Sequence, residues 1–368
     1  MKLYVIAGED SGDLHTGNLI QALKVRQSEI QCRGVGGEHM KSAGTELVAH
    51  VKDINFMGFW EVIRNLRTIR QLFQTVQSDI LSWQPDAVLL VDYPGFNLRM
   101  ARFLFERGIR VFYYISPQVW AWKKGRVKKI RQYVERMFVI LPFEQDFYAR
   151  EGVEVDFVGH PLLDVIEEQT ETRSNSKPII ALLPGSRKQE ISRMLKPMLA
   201  LVSRFPDYDF VVAGAPSQTE AFYRSLMGNH QAELRMNQTY DILQEASYAV
   251  VTSGTATLET ALFRVPEVVC YRGAWISYQI GKRLVNVDYI SLVNLILGRK
   301  AVEELIQGAF TPDRVERELR KLMKKDRRAS LQEAYAELRT LLGDSGASGR
   351  TAELLLERIH AREGQTEK

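Results

Sequence analysis

Short apolar runs alternate with amphipathic segments along nearly the whole chain. The runs in the first half are apolar throughout, which is typical of parallel strands buried on both faces, and the segments between them have helical period. We therefore predict a parallel sheet covered by helices. The predicted strands are Leu3–Ala7, Gln31–Val35, Ala87–Val91, Val111–Ile115, Arg136–Leu141 and Val155–Val158. The predicted helices are Asp13–Lys24, Phe59–Ser82, Leu98–Arg107, Gly125–Tyr133 and Pro142–Arg150.

A second pattern of the same kind follows a polar interruption at Glu167–Lys177, which we interpret as a linker. Its predicted strands are Ile179–Leu183, Phe210–Ala213, Ala249–Thr252 and Glu267–Tyr271, and the chain from Thr311 onward is predicted to be helical. We expect domains at 1–166 and 178–340, with a helical segment at 341–368 that returns to the N-terminal domain or to a partner subunit. Two such sheets facing each other would form a cleft at the carboxyl ends of their strands, where open α/β sheets bind ligands.

Composition narrows the class of protein. The 368 residues are 45% hydrophobic and 26% charged, as in ordinary soluble globular proteins, and the formal charge of +4 is too small to indicate nucleic-acid binding. Cys32 and Cys270 lie far apart in apolar runs, so a disulfide framework is not expected, and the six histidines lack metal-ligand spacing. We predict no metal, no signal peptide and no membrane-spanning segment, and hence a protein of the cytosol or of its membrane face.

Two turns in the first half carry candidate chemistry. The first strand runs into Gly8–Asp13, which is not the G-x-G-x-x-G dinucleotide fingerprint. There Ser11 and Asp13 would face a ligand, or Asp13 would cap the next helix. Asp92 follows the Ala87–Val91 strand, where partial desolvation would suit a carboxylate for general-base work; the alternative is that it holds the turn.

Two segments suggest contact with a membrane. Six cations follow Trp120 and Trp122 within nine residues, which favours anionic lipids or a phosphorylated substrate over an ordinary solvated helix face, and no RNA-binding motif accompanies them. The Phe59–Phe73 segment is apolar around most of its circumference, with arginines between, and would be either core or an interfacial helix. The predicted membrane-docking residues are Phe59, Trp60, Arg64, Arg67, Lys123, Lys124 and Arg126.

Two strand-to-helix turns in the second half suit phosphate groups. Gly185, Ser186 and Arg187 combine a helix N-terminus with a guanidinium, without the Walker lysine that ATP hydrolysis would need. Ser253, Gly254 and Thr255 form a similar turn, and the carboxylate of Glu259 could bind a ribose diol. Plain βα turns, and helix capping by Ser253 or Thr255, are the alternatives.

Taken together, the motifs resemble the lipid-A-disaccharide synthase family over nearly the whole chain. They are Gly8–Asp13, Met57–Phe59, Asp92–Asn97, Ser116–Trp122, Leu141–Glu144, Val158–Pro161, Leu183–Arg187, Ser253–Ala256, Tyr271–Arg272, Lys282–Val285, Asp288–Leu292 and Asn294. The resemblance implies a GT-B-type α/β fold, with two Rossmann-like domains. The implied activity is an inverting transfer from UDP-2,3-diacylglucosamine to lipid X, giving the β-1,6 lipid A disaccharide 1-phosphate and UDP without a cofactor. It also implies peripheral attachment to the anionic inner-membrane surface of a Gram-negative bacterium.

The resemblance implies roles for particular residues. Asp92 matches the position of a general base, and Arg187 and Asn294 match donor-binding positions. With the turns above, the predicted donor site is Gly185, Ser186, Arg187, Ser253, Gly254, Thr255, Glu259, Arg272 and Asn294, and the predicted acceptor site is Ser11, Asp13, Asn97, Ser116, Gln118 and Trp120.

Asp10, Gly95 and Val293 depart from the family pattern, which has a small residue, a second acid and a proline there. These departures leave the implied reaction unchanged.

Other functions stay open at this point. A UDP-N-acetylglucosamine 2-epimerase and a non-enzymatic UDP-sugar or lipid-binding protein are the alternative functions. A homodimer is left open, and no nucleic-acid partner is expected.

Overall fold

The computed structural model describes residues 1–51, 66–119, 125–167, 177–273 and 288–366. They divide into two compact units. Unit 1 consists of Met1–Val165 together with Leu342–Lys368, and unit 2 of Ile166–Leu341. Each unit is a parallel sheet flanked by helices, which confirms the predicted α/β class with two Rossmann-like folds.

Unit 1 contains a seven-stranded sheet with the order β3-β2-β1-β4-β5-β6-β7. Its strands are β1 (Lys2–Ala7), β2 (Gln31–Gly36), β3 (Glu46–His50), β4 (Ala87–Val91), β5 (Val111–Tyr114), β6 (Arg136–Val139) and β7 (Val155–Phe157). Its helices are α1 (Asp10–Arg26), α2 (Glu38–Ser42), α3 (Leu66–Trp83), α4 (Pro94–Phe105), α5 (Gly125–Tyr133), α6 (Phe143–Arg150) and α7 (Leu162–Glu167). The order reverses between β1 and β4, which is the switch point where such sheets bind ligands.

Unit 2 contains a six-stranded sheet with the order β10-β9-β8-β11-β12-β13, and its switch point lies between β8 and β11. Its strands are β8 (Ile179–Leu183), β9 (Asp209–Gly214), β10 (Glu233–Met236), β11 (Ala246–Thr252), β12 (Glu267–Tyr271) and β13 (Glu303–Ile306). Its helices are α8 (Lys188–Leu199), α9 (Glu220–Met227), α10 (Thr239–Glu245), α11 (Thr255–Leu262), α12 (Leu292–Leu297), α13 (Pro312–Leu322) and α14 (Lys325–Leu341).

The last helix, α15 (Ala347–Thr366), belongs to unit 1 and packs on α1. The Asp164 carboxylate on α7 fixes its start, because it accepts the backbone N–H groups of Gly346, Ala347 and Ser348 at 2.6–3.1 Å. This is the charge-assisted capping expected of a carboxylate at a helix N-terminus. Unit 1 is therefore built from both ends of the chain.

Several boundaries differ from the sequence prediction for identifiable reasons. The strands β3, β10 and β13 were not predicted, because each is an edge strand and carries polar residues rather than a continuous apolar run. The strand β5 ends before Ile115, whose φ of 61° breaks extended geometry. The helix α4 begins at Pro94 instead of Leu98, since proline is well suited to the first helical turn.

Candidate active site

The switch point of unit 1 brings Asp92 beside the β1–α1 turn. Strands β1 and β4 pair in parallel with Ala7 opposite Val91, so the residues that follow them, Gly8 and Asp92, are neighbours. The ring of Tyr93 packs so closely on Gly8 that a Cβ at that glycine would lie 2.3 Å from it. Glycine at position 8 is therefore required for this approach.

The backbone at Asp92 is held in an unfavourable conformation. Both Asp92 and Tyr93 have left-handed φ angles, 41° and 46°, which non-glycine residues adopt at a cost of about 1–3 kcal/mol each. The Asn97 amide compensates by donating to the carbonyls of Asp92 at 2.8 Å and Val91 at 3.1 Å, and the Tyr113 hydroxyl also donates to the Asp92 carbonyl. Strain that is held this firmly is typical of a functional position.

The electrostatic surroundings of Asp92 favour proton transfer near neutral pH. Burial raises the pKa of its carboxyl to about 7, and the nearby charges of Glu9 and Glu144 act in the same direction, whereas a hydrogen bond from the Tyr93 backbone opposes them. An acid with a pKa near the working pH can both accept and release a proton efficiently. Asp92 is thus chemically suited to act as a general base.

The other described members of the predicted acceptor site differ in accessibility. Asp13 is buried, and its carboxylate accepts the N–H groups of Gly37, His39 and Met40 at 2.6–3.1 Å. It thus lies inside α1 and holds the start of α2, instead of capping its own helix.

Asn97 and Ser116 are buried as well, and the Ser116 hydroxyl lies 2.8 Å from the Tyr148 hydroxyl. Ser11 and Gln118 are exposed. Trp120 lies outside the described residues. Direct contact of these side chains with an acceptor stays a prediction.

In unit 2, the first turn at the switch point joins β8 to α8. Gly185 has a φ of 98°, and a Cβ there would lie 2.9 Å from the Glu190 carboxylate, so the turn needs glycine. The Arg187 side chain is 54% exposed, and its guanidinium lies 3.1 Å from a Glu190 oxygen. Ser186 is exposed between them. The first N–H groups of α8 have no partner within the helix, so this turn offers both backbone donors and a cation to an anion.

The second turn at this switch point joins β11 to α11. Its hydroxyl groups do not cap the helix, because Gly254 occupies the N-cap position and no side chain accepts a helical N–H. The Ser253 hydroxyl instead donates to the Ile290 carbonyl at 2.9 Å, and its N–H donates to the Cys270 carbonyl. Gly254 and Thr255 are exposed. The groups that this turn presents to an anion are thus the N–H groups of α11 and the Thr255 hydroxyl.

Glu259 lies on α11, one turn beyond this second turn. The Tyr240 hydroxyl donates to its Oε1 atom at 3.1 Å, and no residue that the structure describes donates to Oε2. Burial raises the pKa of Glu259 to about 7, while the Tyr240 hydrogen bond lowers it. A carboxylate that is half occupied in this way can accept hydrogen bonds from a diol.

Arg272 and Asn294 occupy different surroundings. Arg272 follows β12, stacks 5.1 Å from the centre of the Phe310 ring and lines a groove of about 520 Å³ between α8 and α13. Asn294 is completely buried, and its amide bonds to Val302, Ala301 and Glu304. A direct contact between Asn294 and a donor stays a prediction.

Sequence reasoning missed other polar groups around these turns. Arg193 and Lys196 line the same groove as Arg272, and their spacing of three on α8 is the signal that could have identified them. Tyr240 and Glu304 gave no signal, because they reach their partners only through the tertiary fold.

The predicted docking residues are only partly described. Arg67 is exposed, and Arg126 is half-buried with its pKa lowered by burial. Phe59, Trp60, Arg64, Lys123 and Lys124 lie outside the described residues. Among the helices that the structure describes, none combines the length and the apolar character needed to span a bilayer.

Sequence comparisons match nearly the full length of the chain. A family model described as lipid-A-disaccharide synthetase matches residues 3–357. The lipid-A-disaccharide synthase of Syntrophus aciditrophicus is 42% identical, covering 96% of both chains. That of Geobacter sulfurreducens is 36% identical, covering 97% of both chains.

Structural comparisons show the fold. A UDP-GlcNAc 2-epimerase from Neisseria meningitidis, solved with UDP-GlcNAc, superposes with a TM-score of 0.68 at 13% identity over 97% of this chain and 100% of its own. The kitacinnamycin glycosyltransferase superposes with a TM-score of 0.67 at 14% identity, covering 97% and 98%. Epimerases and transferases share this architecture, so the fold does not separate the two activities, whereas the sequence comparisons do.

Proposed function

This chain belongs to the lipid-A-disaccharide synthase family, and from that premise we propose how its residues carry out the glycosyl transfer. The enzyme is a glycosyltransferase that uses a UDP-sugar. We propose that the donor is UDP-2,3-diacylglucosamine, that the acceptor is lipid X, and that the enzyme works at the cytoplasmic face of the inner membrane. The observation that carries the mechanism is the half-buried Asp92 carboxyl with its pKa of about 7.

The proposed reaction is a single displacement. Asp92 accepts the proton of the acceptor 6-hydroxyl as that oxygen forms a bond to the anomeric carbon of the donor. The bond from the anomeric carbon to the UDP oxygen breaks, and the electron pair leaves with UDP. Because attack comes from the face opposite UDP, the anomeric configuration inverts and a β-1,6 linkage results.

We propose that unit 2 stabilises the departing diphosphate. Arg187 and the N–H groups at the starts of α8 and α11 are donors of the kind that bind developing negative charge. In this proposal an incoming diphosphate competes with Glu190 for Arg187, which lies 3.1 Å from that carboxylate. Glu259 binds the ribose diol through the carboxylate oxygen that Tyr240 does not occupy.

Mass spectrometry of the products tests this proposal. Incubation with UDP-2,3-diacylglucosamine and lipid X is expected to yield UDP and the tetraacyl disaccharide 1-phosphate. The donor alone is expected to stay unchanged. Conversion of the donor alone would favour an epimerase, and UDP binding without UDP release from the lipid pair would favour a non-enzymatic binding protein.

Membrane docking is a separate part of the proposal. Both proposed substrates carry acyl chains, so the enzyme must meet them at a bilayer. Lys123 and Lys124 come just before α5 in the sequence, and α5 itself carries Arg126 and three exposed cations, Lys128, Lys129 and Arg131. Flotation with anionic vesicles is expected to carry the protein, and replacing Lys123, Lys124 and Arg126 with glutamine is expected to weaken flotation.

A matched control removes the exposed cations Lys324, Lys325 and Arg328 of unit 2, and it should float like the unmodified protein. Equal flotation of all three proteins would contradict docking through the predicted residues.

A further inference from the structure

A chain of hydrogen bonds connects β13 to the turn that begins α11. Its centre is the Glu304 carboxylate on β13. One oxygen accepts the N–H of Ile290 at 3.0 Å, and the other accepts the N–H of Ser291 at 3.0 Å and the side-chain amide of Asn294 at 2.8 Å. One carboxylate thus accepts three donors from a single short segment, which fixes that segment relative to the sheet.

The buried Asn294 side chain also connects this segment to the residues that lead into β13. Its Nδ2 donates to Glu304 and to the Val302 carbonyl at 3.0 Å, and its Oδ1 accepts the N–H groups of Ala301 and Val302 at 2.7 and 2.9 Å. The side chain is 0% exposed. All the hydrogen-bonding capacity of the amide is used within the protein, so an effect of Asn294 on the donor would be indirect.

The segment held by Glu304 in turn holds the anion-binding turn. The Ile290 carbonyl accepts the Ser253 hydroxyl at 2.9 Å, and the Ser291 hydroxyl accepts the N–H of Asn294 at the start of α12. Ser253 immediately precedes the exposed Gly254 and Thr255, which belong to the turn proposed to hold the diphosphate. The orientation of the N–H groups at the start of α11 thus depends on a contact that Glu304 fixes from the other side.

We propose that Glu304 is a positioning residue for the donor site, acting through the Ile290–Ser291 backbone and Ser253. Asn294 supports it by holding the same carboxylate. This inference rests on the proposed function, because it assumes that the turn at Ser253–Thr255 holds the donor diphosphate. It also predicts that the fully buried Asn294 influences donor binding without touching the donor.

The substitution Glu304→Gln tests the carboxylate with little change in volume. In either orientation the glutamine amide replaces one acceptor oxygen with an N–H donor, which then faces another N–H donor of the segment. Glu303→Gln is the matched control, because Glu303 is the adjacent residue on β13 and pairs with Lys300 at 2.7 Å instead.

A double-mutant cycle on UDP affinity, measured by calorimetry with the full chain, separates the outcomes. Ser253→Ala is expected to weaken UDP binding about three- to tenfold, the range for losing one hydrogen bond. Glu304→Gln is expected to weaken UDP binding by a similar factor. The double variant is expected to bind UDP no more weakly than whichever single variant binds it less tightly. Glu303→Gln is expected to bind UDP normally.

Two results would overturn the inference in distinguishable ways. If Ser253→Ala binds UDP normally, the bond from Ser253 to Ile290 does not orient the turn and the positioning role fails, whereas the proposed donor site itself fails only if Arg187→Ala also binds UDP normally. If Ser253→Ala weakens binding but Glu304→Gln either does not, or adds its effect independently, the donor site stands and the positioning role fails.

A second measurement needs no substituted protein, in case Glu304→Gln does not fold. Hydrogen exchange of the unmodified chain is expected to show slower exchange in the peptide that contains Ile290 and Ser291 when UDP is added. Unchanged exchange there, at saturating UDP, would contradict the inference.

Discussion

The two switch points have the same topology but differ in how their polar groups are held. In unit 1, Asp92 is half-buried on a strained backbone whose carbonyl is tied down by Asn97 and Tyr113. In unit 2, the Arg187 side chain is 54% exposed on an open turn. A half-buried carboxyl on a firmly held backbone suits proton transfer, whereas exposed cations and helix N-termini suit a charged ligand that arrives from water. The same fold can thus present turns suited to two kinds of chemistry.

The sharpest test of this contrast is Asp92→Asn. It keeps the shape of the side chain and removes the base, so kcat is expected to fall about 10²–10⁴-fold while UDP affinity stays unchanged. Steady-state kinetics and calorimetry measure the two quantities. Near-normal turnover in a folded Asp92→Asn protein would show that Asp92 is not the general base.

The pH dependence of kcat/KM tests the same carboxyl without substitution. Burial raises the pKa of Asp92 to about 7, so the group holds its proton below that pH and is the active carboxylate above it. We expect kcat/KM to fall about tenfold for each pH unit below about 7 and to level off above it.

The fall of kcat/KM below pH 7 becomes steeper than tenfold per pH unit if protonation of Glu259, whose pKa is also about 7, impairs donor binding. A profile that stays flat from pH 5.5 to 8 would contradict the role of Asp92.

At the switch point of unit 2, Arg187→Ala is expected to weaken UDP affinity about tenfold. This loss is at the low end of the range for a hydrogen bond to a charged group, because the Arg187 side chain is largely exposed. Arg224→Ala is the matched control, since Arg224 is 63% exposed and pairs with Glu220 on α9 of the same unit. Calorimetry with UDP compares the two variants. Equal affinities would remove Arg187 from the donor site.

The smallest expected effect concerns Tyr240→Phe. The Tyr240 hydrogen bond lowers the pKa of Glu259, so its loss should raise that pKa further and leave more of the acid protonated at neutral pH. UDP affinity is expected to fall about threefold at pH 7 and to recover toward pH 9, where the carboxylate forms again. Tyr208→Phe, half-buried in the same unit, is the control. A loss that does not change with pH would contradict this role.

The sequence predicted the positions of the turns better than the roles of their side chains. Fully buried strands such as β4 and β8 are continuous apolar runs, so their ends, and with them Asp92 and Gly185, could be located from the pattern. The strand β13, by contrast, was not predicted, because Glu303 and Glu304 interrupt its apolar pattern. Edge strands are less apolar, and the pattern then loses its signal.

Side-chain partners could not be predicted because they are set by contacts between distant segments. Ser253 bonds to Ile290, 37 positions away, and Asp13 bonds to Gly37, 24 positions away. Each side chain was predicted either to face a ligand or to cap a helix, and in the structure each bonds to a neighbouring segment; a ligand contact of either side chain stays a prediction. Polar residues near a binding site thus divide between contacting the ligand and fixing the backbone, and only the three-dimensional fold distinguishes the two groups.

The return of α15 to unit 1 has a consequence for the order in which the molecule is assembled on the ribosome. Unit 2 has all its residues once Leu341 has been synthesised, whereas α1, made among the first, waits for α15 to cover it. Leu19 and Leu23 of α1 and Leu355 of α15 are buried in the finished protein. The nascent polypeptide therefore cannot form the contact between α1 and α15 until all residues of unit 2 have been synthesised, and unit 1 reaches its native state only after that point.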